Sequence, residues 1–424
     1  FMTVFIDTAC GEYPWQGAVY TNSGIYTSTL TSIDGCDSVI TLELTIFEDS
    51  SVTYITSCDS AEWNGVWYYN DTIVTDTGFV TSYSFGGATV GNSGKEGNIW
   101  YFGNNAGLDF NTGSPVALTN GMLNTTEGCA SIADNNGDLL FYTDGMTVYN
   151  KNHTIMPNGT GLLGHPSSTQ SGVIVKKPGS NTIYYLFTAP VTPGGLGMRY
   201  SEVDMTLQGG LGDIIVGTKN TLIVAPTCEK IAGIKHANGN DYWIVTHTGG
   251  NSNILHSYLL TSLGLNMIPI VSIGGSTVGV GGTAIGYLKA TGDGSKIATA
   301  HWSLGELNIF DFDNSTGLLS NSMTLSGFLG ASGPYGVEFS PDGNLLYVSE
   351  ADASSNIYQF NLLAGSSTAI NNSRIIISSN SGTGGALQLA PDNKIYFALH
   401  SLPYLGVINN PNTLGLGCNF NANG

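Results

Sequence analysis

Short apolar segments recur along the last three hundred or so residues, and each is followed by a turn and a second segment rich in Tyr, Ile and Val. The turns contain Asp, Asn and Gly, which are typical of tight connections between strands. The copies read "CASIADNNGDLLFYTD", "GVIVKKPGSNTIYYLFTA", "IAGIKHANGNDYWIVTH", "IGYLKATGDGSKIATAH", "GVEFSPDGNLLYVSE" and "LQLAPDNKIYFALH". Two more short strands follow most copies, and four strands in about forty to fifty residues is the repeat of a β-propeller blade.

The number of blades follows from these copies and one further segment. Extra strands in "NIWYFGNNAGLDFNTGSPVAL" precede the first copy, and with the C-terminal residues they would complete a seventh blade and close the ring. The sequence therefore predicts an all-β protein with a propeller of seven blades over residues 98–424, and six blades is the alternative. The first strand of each blade is expected to line the axis, at Val173–Val175, Ile231–Ile234, Ala284–Tyr287, Gly336–Phe339 and Ala386–Leu389.

The first 97 residues follow a different pattern. "TVFIDTACGEYPWQGAVY" and "TIFEDSSVTYITSCDSAEWNGVWYY" each place a Cys between an Asp-ended strand and an aromatic strand around Trp-x-Gly. We predict a small Ig-like β-sandwich module over residues 1–48, and a partial second module with a linker over 49–97. Residues 1–6 resemble the last strand of such a module, so we expect the chain to be a fragment of a longer polypeptide.

Cys10 and Cys36 frame the first module. A small module with little core gains much from a covalent bond, so we predict a disulfide between them, with two buried free thiols as the alternative. Cys58, Cys129, Cys228 and Cys418 allow three pairings, which stay open.

Charge narrows the class of partner. The chain has 12 Lys and Arg against 31 Asp and Glu, a formal net charge of -19. Nucleic acids and anionic lipid surfaces are recognised by clustered cations, so neither is an expected partner. No apolar run approaches the length of a transmembrane helix, so membrane insertion is not expected either.

The propeller segments "IWYFGNNAGLDFNTGSPVALTNG" and "CEKIAGIKHANGNDYWIVTH" resemble large Bacteroidetes surface proteins that are exported by the type IX secretion system. The first module resembles the adhesin-like tandem repeats of the same class. The resemblance implies an extracellular or cell-surface protein with a WD-repeat-like propeller. It also makes the Asp-Ser/Thr-x motifs candidates for O-glycosylation, with chance in a Ser- and Thr-rich stretch as the alternative; they lie at Thr8, Ser38, Ser60 and Thr72.

One register of ionisable residues stands out, although hydrolase elbows, phosphate loops and zinc-protease motifs are missing from the sequence. When the blades are aligned by their turns, five of them end the second strand with an ionisable side chain six residues after the turn, namely Asp144, His247, His301, Glu350 and His400. Equal offsets imply equal heights, so we predict that the five share one face near the channel and bind a divalent cation or a polar glycan. Alternatively, each caps its own blade.

Two functions of different classes remain. The first is a non-enzymatic adhesion or structural protein, which binds a glycan or a protein surface, or copies of itself in a filament or array. The second is a carbohydrate-active propeller, a lyase or hydrolase acting through the ring of His and carboxylates. A metal or sugar bound over that ring would favour the second. No cofactor is expected apart from the candidate divalent cation.

Overall fold

The computed structural model describes residues 94–424 except 192–195, 329–332, 352–353, 382–383 and 401, together with nine strands ahead of residue 94. The chain divides into two compact units, residues 1–77 and 78–424. The predicted Cys10–Cys36 disulfide, the thiol of Cys58 and the hydroxyls of Thr8, Ser38, Ser60 and Thr72 lie outside the described side chains and stay predictions.

The described part of the first unit is built of strands. They are β1 (Met2–Cys10), β2 (Tyr13–Trp15), β3 (Ala18–Tyr20), β4 (Gly24–Thr31), β5 (Asp37–Phe47), β6 (Ala61–Trp63) and β7 (Val66–Tyr68). Strand β5 lies between β1, which is parallel to it, and β4, which is antiparallel. Leu42 and Leu44 are buried on β5, as expected for a strand with one face in a core. The Ig-like assignment stays a prediction.

The second unit begins with a hairpin, whose second strand pairs in parallel with residues 174–175 of the third blade. Two sheets come next along the chain. The hairpin strands are β8 (Ser82–Ser84) and β9 (Ala88–Val90); blade 1 has β10 (Ile99–Phe102), β11 (Ala106–Asp109) and β12 (Val116–Leu118); blade 2 has β13 (Ala130–Ala133), β14 (Leu139–Thr143), β15 (Thr147–Asn150) and β16 (Ile155–Thr160). Blade 1 therefore has three strands among the described residues, whereas blade 2 has four.

Five more sheets follow in chain order. Blade 3 has β17 (Gly172–Lys176), β18 (Ile183–Thr188), β19 (Met198–Asp204), β20 (Asp213–Ile214) and β21 (Thr221–Val224), and blade 4 has β22 (Ala232–Lys235), β23 (Tyr242–His247), β24 (Ser252–Thr261), β25 (Gly264–Leu265) and β26 (Ile270–Val278). Blade 5 has β27 (Leu288–Ala290), β28 (Lys296–His301), β29 (Glu306–Asp313) and β30 (Leu318–Ser326), and blade 6 has β31 (Pro334–Phe339), β32 (Leu345–Glu350), β33 (Ser354–Asn361) and β34 (Ile375–Ser381). Blade 7 has β35 (Gly384–Leu389), β36 (Ile395–Leu399), β37 (Gly406–Ile408) and β38 (Phe420–Asn421). The seven sheets confirm the predicted all-β fold with a seven-bladed propeller.

Short helical turns connect some of these strands. They are the 3₁₀ turns Gln208–Gly210, Val216–Thr218, Gly281–Ala284, Trp302–Leu304, Leu362–Ala364 and Gly415–Cys418, and one α-helix, α1 (Ser367–Asn372). The turn at Gly281–Ala284 corrects one expectation: the first strand of blade 5 begins at Leu288 rather than at Ala284. Gly281 and Gly286 both have positive φ, which breaks the extended chain ahead of the strand.

Neighbouring blades share their cores, and the ring closes between the last blade and the first. Phe141 and Val148 of blade 2, for example, lie in one apolar cluster with Ile174 and Leu186 of blade 3. At the closure, Trp100 and Phe110 of blade 1 pack on Tyr396 of blade 7, with ring centroids 5.8 and 5.6 Å from that of Tyr396. Because blade 1 packs on blade 7 at the closure, the ring has seven blades rather than the alternative of six.

Backbone conformation explains why the turns could be recognised in the sequence. The connection between the first and second strands holds a residue with positive φ in six blades: Gly137, Gly179, Gly239, Gly294, Gly343 and Asn393. Glycine and asparagine adopt this conformation with little strain, which accounts for their recurrence at these places.

Candidate functional site

One face of the propeller collects polar side chains, since the first strands begin there and the antiparallel second strands end there. Three residues hold the same position on this face. Glu127, Thr169 and Glu229 each lie three residues before the first strand of their blade. Below them, Lys289, Glu338 and Gln388 of blades 5, 6 and 7 meet through their side chains, which identifies the first strands as the inner ones.

A cavity of about 1460 Å³ opens beside blade 1 on this face. Trp100 of β10 packs on Tyr396, which lies on the second strand of blade 7. Strand β10 therefore holds the second-strand position, and the described part of blade 1 has no inner strand. The cavity reaches from this open position to Gly384–Ala386 of blade 7 and to Glu127 ahead of blade 2.

Glu127 is the carboxylate at the cavity wall, and it is partly buried there. Its carboxylate accepts hydrogen bonds from the hydroxyls of Tyr335, at 3.0 Å, and Ser167, at 3.2 Å. Burial raises the pKa of Glu127 to about 7, and the charge of Glu229 acts in the same direction. At neutral pH the side chain therefore exists in both protonation states, so it can donate or accept a hydrogen bond.

Two tyrosines continue the wall from Glu127. The rings of Tyr287 and Tyr335 meet edge to face, with centroids 5.5 Å apart, and both side chains are buried. Burial raises the pKa of both hydroxyls well above 10, so they stay protonated and act as hydrogen-bond donors. The wall is thus rigid and polar at its hydroxyl tips.

The rest of the lining is aromatic and amide-rich. Aromatic side chains come from Phe102, Tyr287, Trp302, Tyr335, Tyr396 and Tyr404, and amide side chains from Asn104, Asn105, Asn124, Asn409 and Asn421. Among the described lining residues, Glu127 is the single carboxylate and Lys394 the single Lys or Arg. Phe102, Trp302 and Tyr404 are partly exposed, whereas the other three rings are buried. A ligand here would meet the exposed parts of these rings and neutral hydrogen-bonding groups, with little net charge.

His247 and His301, two of the five residues predicted to form a ring, lie side by side between blades 4 and 5. Their ring centroids are 5.6 Å apart, and both side chains are at most 1 % exposed. His247 Nδ1 donates to the carbonyl oxygen of Thr248 at 2.7 Å, and His301 Nε2 donates to Asn308 Oδ1 at 2.9 Å. Burial lowers the pKa of His247 to about 4 and that of His301 well below 6.5. Both imidazoles are therefore neutral at pH 7.

The other three predicted residues lie in unlike surroundings. Asp144 Oδ1 accepts from the backbone N–H groups of Met146 and Thr147, which makes it a turn cap within blade 2. Glu350 is buried and accepts from Asn356 Nδ2 of its own blade at 2.7 Å. His400 is exposed and borders the cavity. Within the described residues no cluster of three or more His, Cys, Asp or Glu is arranged to hold a metal ion. A binding role for the five residues stays a prediction.

The polar groups that precede the inner strands were not among the residues predicted from the sequence. Glu229 is buried, and its Oε2 accepts from the N–H and hydroxyl of Thr169 at 3.0 and 3.1 Å. Lys230 is buried beside it and donates to the carbonyl oxygens of Ile285 and Ala300. Burial lowers the pKa of Lys230 to about 8. The signal was available: aligning the blades by the start of the first strand, three residues after each polar group, would have found Glu127 and Glu229.

The described cysteines do not pair. Cys129, Cys228 and Cys418 are buried in different blades or the segments leading into them, and no disulfide joins any two of these three. Burial raises the pKa of Cys129 and Cys228 to about 12, and the thiols are therefore protonated and unreactive in the folded protein.

Similar proteins were found among solved structures only. No known family and no curated protein matches the sequence. Among solved structures, the β-propeller domain of Myceliophteria thermophila Cps50 (Swd1) is 11 % identical and matches with a TM-score of 0.45 over 77 % of this chain and 95 % of its own. A candidate 6-phosphogluconolactonase from Bacteroides fragilis is 14 % identical, with a TM-score of 0.44 over 80 % and 92 %. Kluyveromyces lactis Hsv2 is 8 % identical, with a TM-score of 0.43 over 78 % and 93 %.

Among the described residues, no helix has the length and apolar character needed to cross a bilayer.

Proposed function

We propose that this chain is a non-enzymatic adhesion protein of the cell surface, and that its propeller binds an uncharged saccharide in the cavity beside blade 1. The surface location rests on the sequence resemblance to exported Bacteroidetes proteins. The ligand class rests on the cavity lining, which combines the partly exposed rings of Phe102, Trp302 and Tyr404 with five asparagines. Sugar rings present apolar C–H faces to aromatic rings and hydroxyls to amides, so this combination suits them.

Charge argues against an anionic ligand. Phosphate and carboxylate groups are recognised by arginine forks and clustered lysines. The described lining offers Lys394 as its single cation of this kind, and the chain as a whole carries a formal net charge of -19. A phosphorylated sugar would therefore meet an unfavourable field, whereas a neutral oligosaccharide would not.

The arrangement of carboxylates favours binding over hydrolysis. Glycoside hydrolases generally use two carboxyl groups on opposite sides of the scissile bond. Glu127 reaches the cavity, but Glu229 is buried and its Oε2 is held by Thr169. The second candidate, a carbohydrate-active enzyme, has one observation in its favour: the pKa of Glu127, at about 7, suits a general acid.

Binding can be tested by titrating the purified chain with uncharged oligosaccharides in a calorimeter. Tyr404→Ala removes a half-buried ring from the cavity wall, and we expect it to weaken binding by about tenfold. Tyr200→Ala, which removes a half-buried ring from blade 3 outside the cavity, is the matched control and should leave affinity unchanged. Equal affinity of the Tyr404→Ala variant, or no binding of any uncharged saccharide, would contradict the proposal.

Turnover decides between the two candidates. The same oligosaccharides are incubated with the chain, and new reducing ends or unsaturated products are measured. A binding protein produces none. Product formation that is lost in Glu127→Gln would instead establish the enzyme.

The export prediction has its own measurements. Protease treatment of intact producing cells should remove the protein if it lies on the surface. Mass spectrometry of its unreduced peptides should show Cys10 linked to Cys36 and hexose-containing adducts on Thr8, Ser38, Ser60 or Thr72. Protection from protease would contradict the surface location.

A further inference from the structure

Strand β26, at the outside of blade 4, shows the reverse of the usual surface pattern. Val271 and Ile273 are 48 % and 73 % exposed, whereas Ser272 between them is 4 % exposed. A strand that covers a core normally turns its apolar side chains inward and its polar ones outward. Here the hydroxyl faces the protein and the branched apolar side chains face solvent.

The register of β26 is fixed by specific contacts. Ser272 Oγ accepts a hydrogen bond from the backbone N–H of Leu319, on blade 5, at 2.9 Å. On the other side, Val271 is paired with His256 and Ile273 with Ile254 in the ladder with β24. A slip by one residue would bury the apolar side chains but would break both sets of contacts. The outward apolar face is therefore part of the folded structure.

The exposed surface extends beyond the strand. Leu263, in the turn between β24 and β25, is 96 % exposed. Ile268 and Met267, between β25 and β26, are 78 % and 43 % exposed. Together with Val271 and Ile273 they form what we call the blade 4 strip. Its exposed apolar area is on the order of 600 Å², which reaches the upper end of the patches found on monomers. Two such strips face to face would bury roughly 1,200 Å², the lower end for a specific interface.

The distribution of charged residues favours a second copy of this chain as the partner of the strip. Residues 242–288 contain no Asp, Glu, Lys or Arg, although the whole chain has a formal net charge of -19. Two copies of so acidic a protein repel each other unless they meet over an uncharged surface. A basic partner would be drawn to the acidic surfaces instead, and an anionic lipid surface would need cations that the strip lacks. A second copy offers an apolar surface of the same size.

We infer that the blade 4 strip is a self-association surface, through which two copies of this chain pair about a two-fold axis. The same patch on both copies satisfies the symmetry of such a dimer. The strip lies on blade 4 and the saccharide cavity lies beside blade 1, so the dimer does not depend on the proposed function.

The inference is tested by sedimentation equilibrium of the whole chain over a range of micromolar concentrations. We expect a reversible dimer that tightens with added salt, because salt screens the repulsion and leaves apolar contact intact. Ile268→Ser with Ile273→Thr removes apolar area without adding charge and keeps a β-branched residue in the strand. This pair should raise the dimer dissociation constant by about tenfold or more. Leu416→Ser, which changes a 73 % exposed apolar residue on blade 7, is the control.

Several results would overturn the inference. These are a monomer at every concentration, a dimer that the double variant leaves intact, or a dimer that the control weakens equally. A monomer that binds phosphatidylcholine vesicles through the strip would identify a membrane as its partner instead. Saccharide titration of the double variant should give the affinity of the unaltered chain, which separates this result from that for the cavity.

Discussion

On the propeller face that carries the cavity, similar polar groups lie in different surroundings beside blade 1, the open side, and between blades 4 and 5, the closed side. On the open side, Glu127 borders the cavity and is held by two hydroxyl groups. On the closed side, His247 and His301 are sealed between blades 4 and 5, near Lys230. The inner strands β22 and β27 and the 3₁₀ turn Gly281–Ala284 are present on that side, whereas the described part of blade 1 has no inner strand. Polar groups on one face of the propeller therefore differ in their access to a ligand.

This difference in access separates the polar groups that can take part in binding from those that affect only stability. A titratable group that reaches a cavity can respond to a ligand, and one that is sealed can respond only to unfolding. Burial shifts the pKa of Glu127 upward and that of His247 downward, in each case towards the neutral form. The two sides should consequently give opposite dependences of stability on pH.

The largest effect is expected from the ion pair on the inner strands. Lys289 Nζ lies 3.2 Å from Glu338 Oε2 and 2.5 Å from Gln388 Oε1, and all three side chains are buried. Lys289→Met leaves the Glu338 carboxylate without its counter-charge, and the free energy of unfolding should fall by about 3–5 kcal/mol. Urea denaturation at pH 7 measures this.

The double variant Lys289→Met with Glu338→Gln is the control for this pair, because it removes both charges together. It should recover most of the loss. A loss below about 1 kcal/mol in the single variant would show that water reaches the pair, and the inner wall would then be as open as the cavity.

The closed side should make the protein sensitive to acid. The unfolded chain protonates His247 near its ordinary pKa of 6.5, but the folded chain does so near 4. Its contribution to stability is complete above pH 6.5 and is lost as the pH falls towards 4, by about 3 kcal/mol. Denaturation of the unaltered chain and of His247→Leu at several pH values should show a shallower slope for the variant.

His400→Leu is the control for this slope, since His400 is exposed. An identical acid slope in His247→Leu and the unaltered chain would mean that the histidine is not sealed. The comparison between the two sides would then fail.

Glu127, on the open side, should make stability depend on pH in the opposite direction and more weakly than His247. The unfolded chain loses the Glu127 proton near pH 4.5, whereas the folded chain keeps it until about pH 7. Its contribution is therefore complete below pH 4.5 and is lost as the pH rises through 7, by about 2 kcal/mol after allowance for partial exposure. Glu127→Gln keeps an acceptor for Tyr335 and should flatten this slope.

Tyr335→Phe sharpens the prediction for Glu127. The Tyr335 hydroxyl donates to the carboxylate and so lowers the pKa of Glu127. Its removal should move the loss of stability to higher pH. A shift to lower pH would mean that the hydroxyl stabilises the protonated acid instead.

The smallest effect concerns Asp144, which the sequence placed in the same ring. As a turn cap, Asp144→Ala should cost about 1 kcal/mol, because two backbone N–H groups lose their acceptor. Asp144→Asn keeps the acceptor and should be nearly neutral in thermal denaturation. A loss of ligand or cation affinity in Asp144→Asn, with stability unchanged, would restore Asp144 to a binding site.

The fold could be predicted from the repeat pattern, because the pattern depends on local chemistry. Turn residues such as Gly343 and Asn393 need positive φ, and the strands around them need alternating or continuous burial. Both requirements leave a mark in the sequence every forty to fifty residues or so. The extra strands ahead of the first copy made closure of the ring an expectation. The contact between Trp100 and Tyr396 that closes it could not be predicted, because almost three hundred residues separate the two side chains.

The all-β class and the repeat follow from the sequence, because strands and turns depend on local residue types. A common height for Asp144, His247, His301, Glu350 and His400 stays a prediction from strand register. Which polar groups meet a cavity follows only from the packing of the blades. Access depends on what the neighbouring blade places against a side chain, and that neighbour lies tens to hundreds of residues away. Glu127 could thus reach the open side while the two histidines were sealed, because burial is a property of packing between blades.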